Sequence, residues 1–417
     1  MANVSLQTYG CSLNQSDSEV MAGILVARGH ELVHEERADI LVINSCTVKS
    51  NPEQRLFHQL RTRTKPVVVA GCAPQADPHN EHFANVSVIC PKALSRIADA
   101  VEQTLQGRKV TILDDVDGDR NALPCIPSRK HVAIIPTNAG CLNHCSYCKT
   151  KHARGHLQSY PPGSIEKQFR AAVNNGAKEV WLTSQDTAAY GLDINTDITA
   201  LLERLLRKPG DYRIRLGMAN PQHLAPRIDR LISVLRHPNM FKFLHLPVQS
   251  GSDDVLKNMR RGYTTTAFKE LVRRITRAIP NITIATDIIV GFPTETEADF
   301  HATEGLIHEL KIPIINLSKF SPRPGTAAAN MKPLSTKVVK QRSTRLKALC
   351  VRVAAQHRQQ YVGRELSVLI DEHGKHDTLI GKADNYLQVI LPRTAGTMGD
   401  RVIVTPSRAG IFDVRAV

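Results

Sequence analysis

The chain has 417 residues, of which 42% are hydrophobic and 22% charged, and this length predicts two or three folded domains. No stretch approaches the roughly 18 uninterrupted apolar residues of a membrane span. The N-terminus lacks the basic and apolar segments of an export signal, so we expect a cytoplasmic protein. Its nine cysteines are then metal ligands, catalytic groups or core residues rather than disulfides. The net charge of +15 suggests a nucleic-acid partner, although charge alone does not require one.

The first hundred or so residues alternate between strand and helix patterns. Strands are predicted at 4–8, 39–43 and 67–70, and helices at 16–28 and 51–63. Alternation of this kind is typical of a parallel sheet with crossover helices. We therefore expect an N-terminal α/β domain over residues 1–108.

A cysteine follows each of these three predicted strands: Cys11, Cys46 and Cys72. In open parallel sheets ligands bind beyond the carboxyl ends of the strands, so the three thiols should meet at one edge. Any one of them alone would be interpreted as a buried core cysteine. Because the same placement occurs three times, the pattern predicts a cluster held by three thiolates.

Residues 109–130 combine an acidic run with Pro124 and Pro127, a composition typical of a linker. Beyond it, over 131–330, six strand-like runs alternate with helical stretches. This pattern predicts a partial (βα)6 barrel with its site at the carboxyl ends of the strands. The strands are expected at 132–136, 178–183, 213–218, 242–246, 282–289 and 313–319.

Three further cysteines follow the first barrel strand with Cys-x3-Cys-x2-Cys spacing: Cys141, Cys145 and Cys148. Thiolates select iron–sulfur clusters, zinc or copper(I). A structural zinc site uses four protein ligands, whereas three thiolates leave one iron of a [4Fe-4S] cluster open to a substrate or cofactor. A zinc loop completed by a distant fourth ligand, in a non-catalytic RNA-binding protein, is the alternative.

Residues 331–360 contain eight Lys or Arg and no acid, which predicts a basic helix that contacts phosphate groups; a solvated helix face is the alternative. The final segment, 361–417, shows five short strands and predicts a small β-barrel, a shape often used on nucleic acids. The fold class predicted for the whole chain is α/β, with an N-terminal parallel domain, a central partial barrel and a C-terminal β-barrel.

Several motifs together resemble the methylthiotransferases: Tyr-Gly-Cys-Ser-Leu-Asn, Asn-Ser-Cys-Thr-Val, Gly-Cys-Ala-Pro-Gln, the Cys-x3-Cys-x2-Cys loop, Pro-Val-Gln-Ser-Gly-Ser and Phe-Ser-Pro-Arg-Pro-Gly-Thr. Those are radical S-adenosylmethionine (SAM) enzymes with a cluster domain, a partial barrel and an RNA-binding, OB-like TRAM domain. The segment from Cys148 to Tyr160 resembles the archaeal and eukaryotic branch. That branch modifies N6-threonylcarbamoyladenosine beside the tRNA anticodon, at tRNA position 37.

The resemblance implies two [4Fe-4S] clusters. Cys141, Cys145 and Cys148 would hold the one that cleaves SAM to a radical, which removes hydrogen from C2 of the adenine. Cys11, Cys46 and Cys72 would hold the second, which presents the sulfur for methylthio transfer. It also implies SAM, the tRNA anticodon stem-loop and an unidentified electron donor as partners. The SAM-pocket residues carried over are Tyr147, Ser184, Gln185, Asp186, Gln249, Gly291 and Glu295.

Two departures from the family pattern affect the expectations. Gln185 stands where the branch usually has Glu and also resembles the branch that modifies a ribosomal protein. A different adenosine or a ribosomal protein therefore remain alternative substrates. The chain stops at Val417 without the apolar anchor of eukaryotic relatives, which favours a soluble, archaeal-type enzyme. Our hypotheses for RNA contacts are Arg154, Arg323, Lys340, Arg342 and Arg345, and Cys90, Cys125 and Cys350 are expected to be structural.

Overall fold

The computed structural model describes residues 1–47 and 50–416, so Val48, Lys49 and Val417 lie outside the described residues. The N-terminal domain is a six-stranded parallel sheet of order β2-β1-β3-β4-β5-β6. Its strands are β1 (Asn3–Thr8), β2 (Glu31–Leu32), β3 (Ile40–Ser45), β4 (Val67–Gly71), β5 (Ser87–Ile89) and β6 (Thr111–Ile112). Its helices are α1 (Ser12–Ala27), α2 (Ser50–Thr62), α3 (Cys72–Ala76) and α4 (Ile97–Leu105).

Helices cover both faces of this sheet, which is why β3 and β4 are continuous buried apolar runs rather than alternating ones. Met21 and Leu25 of α1 pack on one face, and Leu56 and Leu60 of α2 lie in the core on the other. The three predicted strands are confirmed, whereas the short β2, β5 and β6 were missed.

The stretch predicted as a linker needs a correction. Strand β6 pairs with β5, so residues beyond 108 belong to the N-terminal sheet. Arg120 is also buried, against α1. Acidic and proline-rich composition predicted a linker, but it cannot show that an edge strand completes the sheet.

The central domain has six parallel strands in chain order, in two three-stranded ladders. The pairs Ile214–Met240 and Met218–His245 bridge the two ladders, which makes an open, partial barrel. The elements up to the second barrel strand are β7 (Val132–Pro136), β8 (Asn138–Ala139), β9 (Gln158–Ser159), β10 (Glu179–Thr183), α5 (Thr150–Arg154) and α6 (Pro162–Asn174). The rest are β11 (Arg213–Leu216), β12 (Phe243–His245), β13 (Thr283–Val290), β14 (Ile314–Lys319), α7 (Ile198–Leu206), α8 (Pro221–Leu224), α9 (Ile228–Leu235), α10 (Asp253–Asn258), α11 (Thr265–Ala278) and α12 (Glu297–Leu310).

All six predicted barrel strands are present within a few residues of their expected bounds. One face of these strands packs against the outer helices, where Leu182, Leu244 and Ile288 lie in the main core. Because side chains alternate along a strand, the residues between them point into the barrel lumen. The carboxyl ends of the strands lie beside the cysteine loop, which follows β7 between β8 and β9.

Helix α13 (Thr336–Gln359) connects the barrel to the C-terminal domain and packs Leu346 and Leu349 into the barrel core. The C-terminal sheet is mixed and curled, with order β18-β15-β16-β17-β20-β19 and a register shift between Ile370 and Glu372. It has six strands where five were predicted: β15 (Leu366–His373), β16 (Thr378–Ala383), β17 (Gln388–Pro392), β18 (Arg401–Val404), β19 (Arg408–Ala409) and β20 (Val414–Arg415). Among the described helices, none combines the length and apolar character needed to cross a membrane.

Candidate active site

The three N-terminal thiols lie at adjacent strand ends, because β1, β3 and β4 are neighbours in the sheet. The Asn14 Oδ1 atom is 3.3 Å from Cys11 Sγ and 4.0 Å from Cys72 Sγ. Gly10, with φ of 133°, approaches Cys46 so closely that an added Cβ would lie 2.9 Å from the Cys46 Cβ. Cys46 and Cys72 are buried and Cys11 is exposed, so the group is open on one side.

The surroundings of Cys72 keep its thiol protonated in the absence of metal. Burial raises the pKa of Cys72 to about 12, and the neighbouring Cys11 and Cys46 raise it further while Arg154 lowers it. Because a metal binds the thiolate, metal loading at this site has to release a proton.

The barrel thiols are grouped on the loop between β8 and α5. Burial raises the pKa of Cys141 to about 12, and the nearby Cys145 and Cys148 contribute in the same direction. Burial also raises the pKa of Cys148. The backbone N–H of Cys148 donates to the carbonyl oxygen of Cys145 at 3.2 Å, which keeps this part of the loop compact.

Arg261 is a contact of this loop that sequence reasoning missed. Its Nη1 atom donates to Cys145 Sγ at 3.2 Å, and its Nε donates to the Tyr263 hydroxyl at 2.9 Å. The guanidinium therefore lies directly against one of the three predicted cluster ligands. No motif marks Arg261, since it lies more than a hundred residues along the chain from the loop.

Both thiol groups fit an iron–sulfur cluster by donor chemistry. Within the described ranges, no three histidine, cysteine, aspartate or glutamate side chains are arranged to hold a single metal ion. A cluster places each thiolate on a different iron, so its ligands need not meet at one point. Cys90, Cys125 and Cys350 lie in or against the apolar cores, where burial raises the pKa of each to about 11.

Arg154, which follows the barrel cysteine loop in the chain, contacts the N-terminal thiol group across the domain boundary. Its Nε atom donates to Cys72 Sγ at 3.2 Å, and its Nη2 donates to Asp17 at 2.5 Å. Arg154 ends α5, the helix that follows the cysteine loop, and Asp17 also pairs with Arg120. Beside them, the hydroxyl oxygens of Ser12 and Thr183 are 2.7 Å apart.

This contact corrects the interpretation of Arg154 as an RNA-binding residue. Its side chain is only 2% exposed and is satisfied by Asp17 and Cys72, so no phosphate can reach it. The i, i+3 spacing of Asn14 and Asp17 on α1, directly after Cys11, was the available signal for this arrangement. It indicated a shared helix face but not the partner on the other domain.

The residues expected to form the SAM pocket are divided by the structure. Ser184 and Gln185 are partly buried at the end of β10, and the Gln185 Oε1 atom is buried without a hydrogen-bond partner among the described residues. Asp186 is buried and holds His223 at 2.7 Å and the Asn220 N–H at 2.9 Å. Tyr147 packs against Val255, Met259 and Phe292.

The remaining three predicted pocket residues lie near β13. Gln249 adopts a left-handed backbone with φ of 77° and pairs with β13 through its N–H and C=O groups. Gly291 has φ of 79°, and the atom it approaches is Val339 Cγ2 of α13, 2.6 Å from an added Cβ. Glu295 accepts from the Gly291 N–H at 2.9 Å and pairs with Arg342 at 2.8 Å. The backbone of Gly291, expected to approach SAM, therefore packs closely against α13.

The other candidates for RNA contact differ in exposure. Lys340 is exposed, whereas Arg342 is buried between Glu295 and Glu297. Arg345 pairs with Glu304 at 2.7 Å. Arg323 is buried and pairs at 2.8 Å with Glu53 of the N-terminal domain. Of these four residues only Lys340 has the free, exposed side chain that a phosphate contact requires; the sequence could not show the carboxylates that hold the three arginines.

Three family models match the chain: the Uncharacterized protein family UPF0004 over residues 3–89, the Radical SAM superfamily over 135–307 and the TRAM domain over 359–405. The solved structure of the radical S-adenosylmethionine methyltransferase TsrM from Kitasatospora setae is similar with a TM-score of 0.56 and 14% identity, covering 79% of this chain and 77% of that one. At that identity the likeness concerns the fold alone.

Relatives named threonylcarbamoyladenosine tRNA methylthiotransferase match nearly the whole chain. The Drosophila melanogaster protein is 41% identical over 99% of this chain and 76% of its own length, and the Homo sapiens protein is 39% identical over 97% and 72%. The Pyrococcus abyssi protein, named a probable enzyme of this kind, is 37% identical over 94% of both. The domain order and these relatives together show that the chain belongs to the radical SAM threonylcarbamoyladenosine tRNA methylthiotransferase family.

Proposed function

We propose that this protein methylthiolates C2 of N6-threonylcarbamoyladenosine at position 37 of tRNA, giving the 2-methylthio derivative. The observation that carries the proposal is the junction of the two thiol groups. Arg154 ends α5, the helix that follows the loop of Cys141, Cys145 and Cys148, and it contacts Cys72 of the N-terminal domain. The names of the relatives support this substrate over the ribosomal-protein alternative.

The family implies SAM and a [4Fe-4S] cluster, which Cys141, Cys145 and Cys148 would hold. We assign a second cluster to Cys11, Cys46 and Cys72, supported by the contacts of Cys11 and Cys72 with Asn14 and by the close approach of Gly10 to Cys46. When bound, these groups supply the radical and sulfur-transfer chemistry at a C–H bond that acid–base groups cannot break. The chain's own residues keep the sites together and restrict solvent access, since two of the three N-terminal thiols are buried.

For tRNA binding we propose the C-terminal domain together with the exposed lysines of α13. The match of 359–405 to the TRAM domain and the net charge of +15 support this assignment. We further propose that the protein acts in the cytoplasm and takes electrons from a separate donor.

Mass spectrometry of tRNA nucleosides tests the reaction and the second cluster together. In cells that lack the protein, the 2-methylthio nucleoside should disappear and its threonylcarbamoyl precursor accumulate. Complementation with Cys72→Ala should leave the precursor unmodified, while the matched variant Cys90→Ala, a buried cysteine of the same domain, should restore the product. An unchanged nucleoside profile in the deletion strain would rule out this tRNA substrate.

A further inference from the structure

The barrel lumen has a polar layer just below the carboxyl ends of its strands. His245 on β12 has its Nε2 atom 2.9 Å from the Oδ1 atom of Asp287 on β13. Asn316 on β14 donates from Nδ2 to the same oxygen at 2.8 Å. Their strands are adjacent, and these side chains lie on the face opposite the buried core. All three are at least partly exposed to solvent.

One layer deeper, Arg215 stands among aromatic rings. Its guanidinium carbon is 5.0 Å from the ring centroid of Phe243, 5.2 Å from that of Tyr386 and 5.7 Å from that of Trp181. Phe243 precedes His245 by two residues, so the layers are about 7 Å apart. A short polar substituent on a nucleoside base is long enough to span that separation.

Arg215 has no anionic partner in the part of the chain that the structure describes. It makes no hydrogen bond or ion pair there, and its Nε atom is buried without an acceptor. The neighbouring carboxylate of Glu179 instead accepts hydrogen bonds from the Tyr386 hydroxyl, at 2.9 Å, and from the Trp181 indole N–H. A bound carboxylate would stabilise a partly buried guanidinium of this kind, because charge-assisted hydrogen bonds are strong where little water is present.

The polar layer is also connected to the cysteine loop. Arg261 bonds to Cys145 Sγ and to the Tyr263 hydroxyl. Burial raises the pKa of Tyr263 to about 12, and the charge of Asp287 contributes to that increase. The Tyr263 hydroxyl also donates to the carbonyl oxygen of Pro247 at 2.8 Å, two residues after His245, so a chain of contacts runs from this layer to Cys145.

We propose that this part of the lumen is the subsite for the threonylcarbamoyl group of the substrate. Arg215 pairs with the free carboxylate of that group, and His245 and Asn316 bond to its hydroxyl and urea atoms. This inference rests on the proposed function and deepens it. Unmodified adenine lacks the carboxylate, hydroxyl and urea groups. With adenosine bound, the polar side chains of the subsite would stay unpaired, and this cost lets an enzyme reject such an analogue.

The test compares three anticodon stem-loops by fluorescence anisotropy with the holoenzyme that carries its clusters. The hairpins contain N6-threonylcarbamoyladenosine, its carboxylate methyl ester, or adenosine at position 37. The wild-type protein should bind the free acid about tenfold or more tightly than the other two, the effect of one charge-assisted hydrogen bond. Arg215→Met should bind the free acid and the ester equally, and Arg215→Lys should keep part of the preference.

Arg213→Met is the matched control, because Arg213 is on the same strand and pairs with Asp384 of the C-terminal domain at 3.3 Å. It should retain the preference for the free acid. The proposal is overturned if Arg215→Met keeps the preference, or if it weakens all three hairpins by one common factor, as a pure docking contact with Tyr386 would.

Failure of the proposed function can be recognised separately. If wild-type enzyme makes no 2-methylthio product from the threonylcarbamoyl hairpin, the proposed reaction is wrong. If it makes that product while the variants show no change in discrimination, only the subsite assignment is wrong. Iron content and elution volume of each variant show whether it is folded. If Arg215→Met is unfolded, the comparison of Arg215→Lys with the wild type decides. A folded Arg215→Lys variant that loses all of the preference for the free acid, or none of it, would contradict the carboxylate contact.

Discussion

Asp371 is a buried carboxylate of the C-terminal sheet whose Oδ1 atom has no hydrogen-bond partner among the described residues. Burial raises the pKa of Asp371 to about 7; Lys382 lowers it and Glu179, across the domain boundary, raises it. In the unfolded chain an aspartate has a pKa of about 3.9. The folded state therefore binds this proton more tightly, and the corresponding stabilisation is lost as the pH rises from about 4 through 7.

At the residue scale we predict that Asp371→Asn stabilises the protein at pH 8 and has a smaller effect at pH 6. The amide removes a buried charge, and the free energy of unfolding should rise by about 1–3 kcal/mol at pH 8. Urea unfolding followed by the fluorescence of Trp181, the chain's one tryptophan, reports on this boundary. Asp377→Asn, at an exposed carboxylate of the same domain, should have little effect at either pH. An equal effect of Asp371→Asn at both pH values would contradict the prediction.

At the element scale, α13 has two basic faces with different tasks. Arg342 and Arg345 face α12 and pair with Glu297, and Arg345 also lies 4.5 Å from the ring centroid of Phe300. These contacts attach α13 to the barrel. Lys337, Lys340 and Lys347 are exposed on the helix and form no ion pair within the described residues. The sequence predicted the charge of this helix but not its division into a packed face and a free face.

We expect the free face to contact RNA phosphates. Lys340→Glu should weaken tRNA binding and reduce the slope of log affinity against log salt concentration by about one. Lys167→Glu, the same charge change on the exposed side of α6, is the control and should leave the slope unchanged. Binding titrations at several salt concentrations measure both. Equal slopes for the Lys340 variant and the wild type would show that α13 is a solvated helix.

At the scale of the whole molecule, the N-terminal domain and the barrel are joined by a buried ion-pair network. Asp17 is fully buried and pairs with Arg120 and Arg154, and Arg154 reaches on to Cys72. Buried pairs contribute little net stability when intact, but removing one partner costs about 3–5 kcal/mol because a charge remains unpaired. Arg120 and Arg154 both pair with Asp17, but of these two arginines only Arg154 contacts a predicted cluster ligand.

This asymmetry predicts different effects for two matched variants. In a background with Cys141, Cys145 and Cys148 replaced by alanine, reconstituted iron reports on the N-terminal site alone. There, Arg154→Met should lose most of the about four irons per chain, because Cys72 loses its hydrogen-bond donor. Arg120→Met should retain them while lowering the midpoint of urea unfolding. If both variants retained equal iron, the bond between Arg154 and Cys72 would have no part in cluster binding.

Local patterns in the sequence determined the secondary structure of the barrel and the positions of both thiol groups. Strand periodicity is a property of neighbouring residues. Because the carboxyl ends of parallel strands lie at one edge of a sheet, cysteines that follow three adjacent strands must lie near one another. The same information predicted the α/β fold class. It failed for β6 and the buried Arg120, since a short edge strand in a stretch of linker composition has no local signal of its own.

Tertiary structure alone decided which charges are free and which are paired. Arg154, Arg323 and Arg342 have the sequence appearance of surface cations, yet each is buried against a carboxylate distant in the chain. Arg215 is the reverse case, a cation in the barrel lumen that has no anionic partner among the residues the structure describes. Burial and pairing depend on contacts between residues separated by tens to hundreds of positions, and those contacts exist only after the domains have packed together.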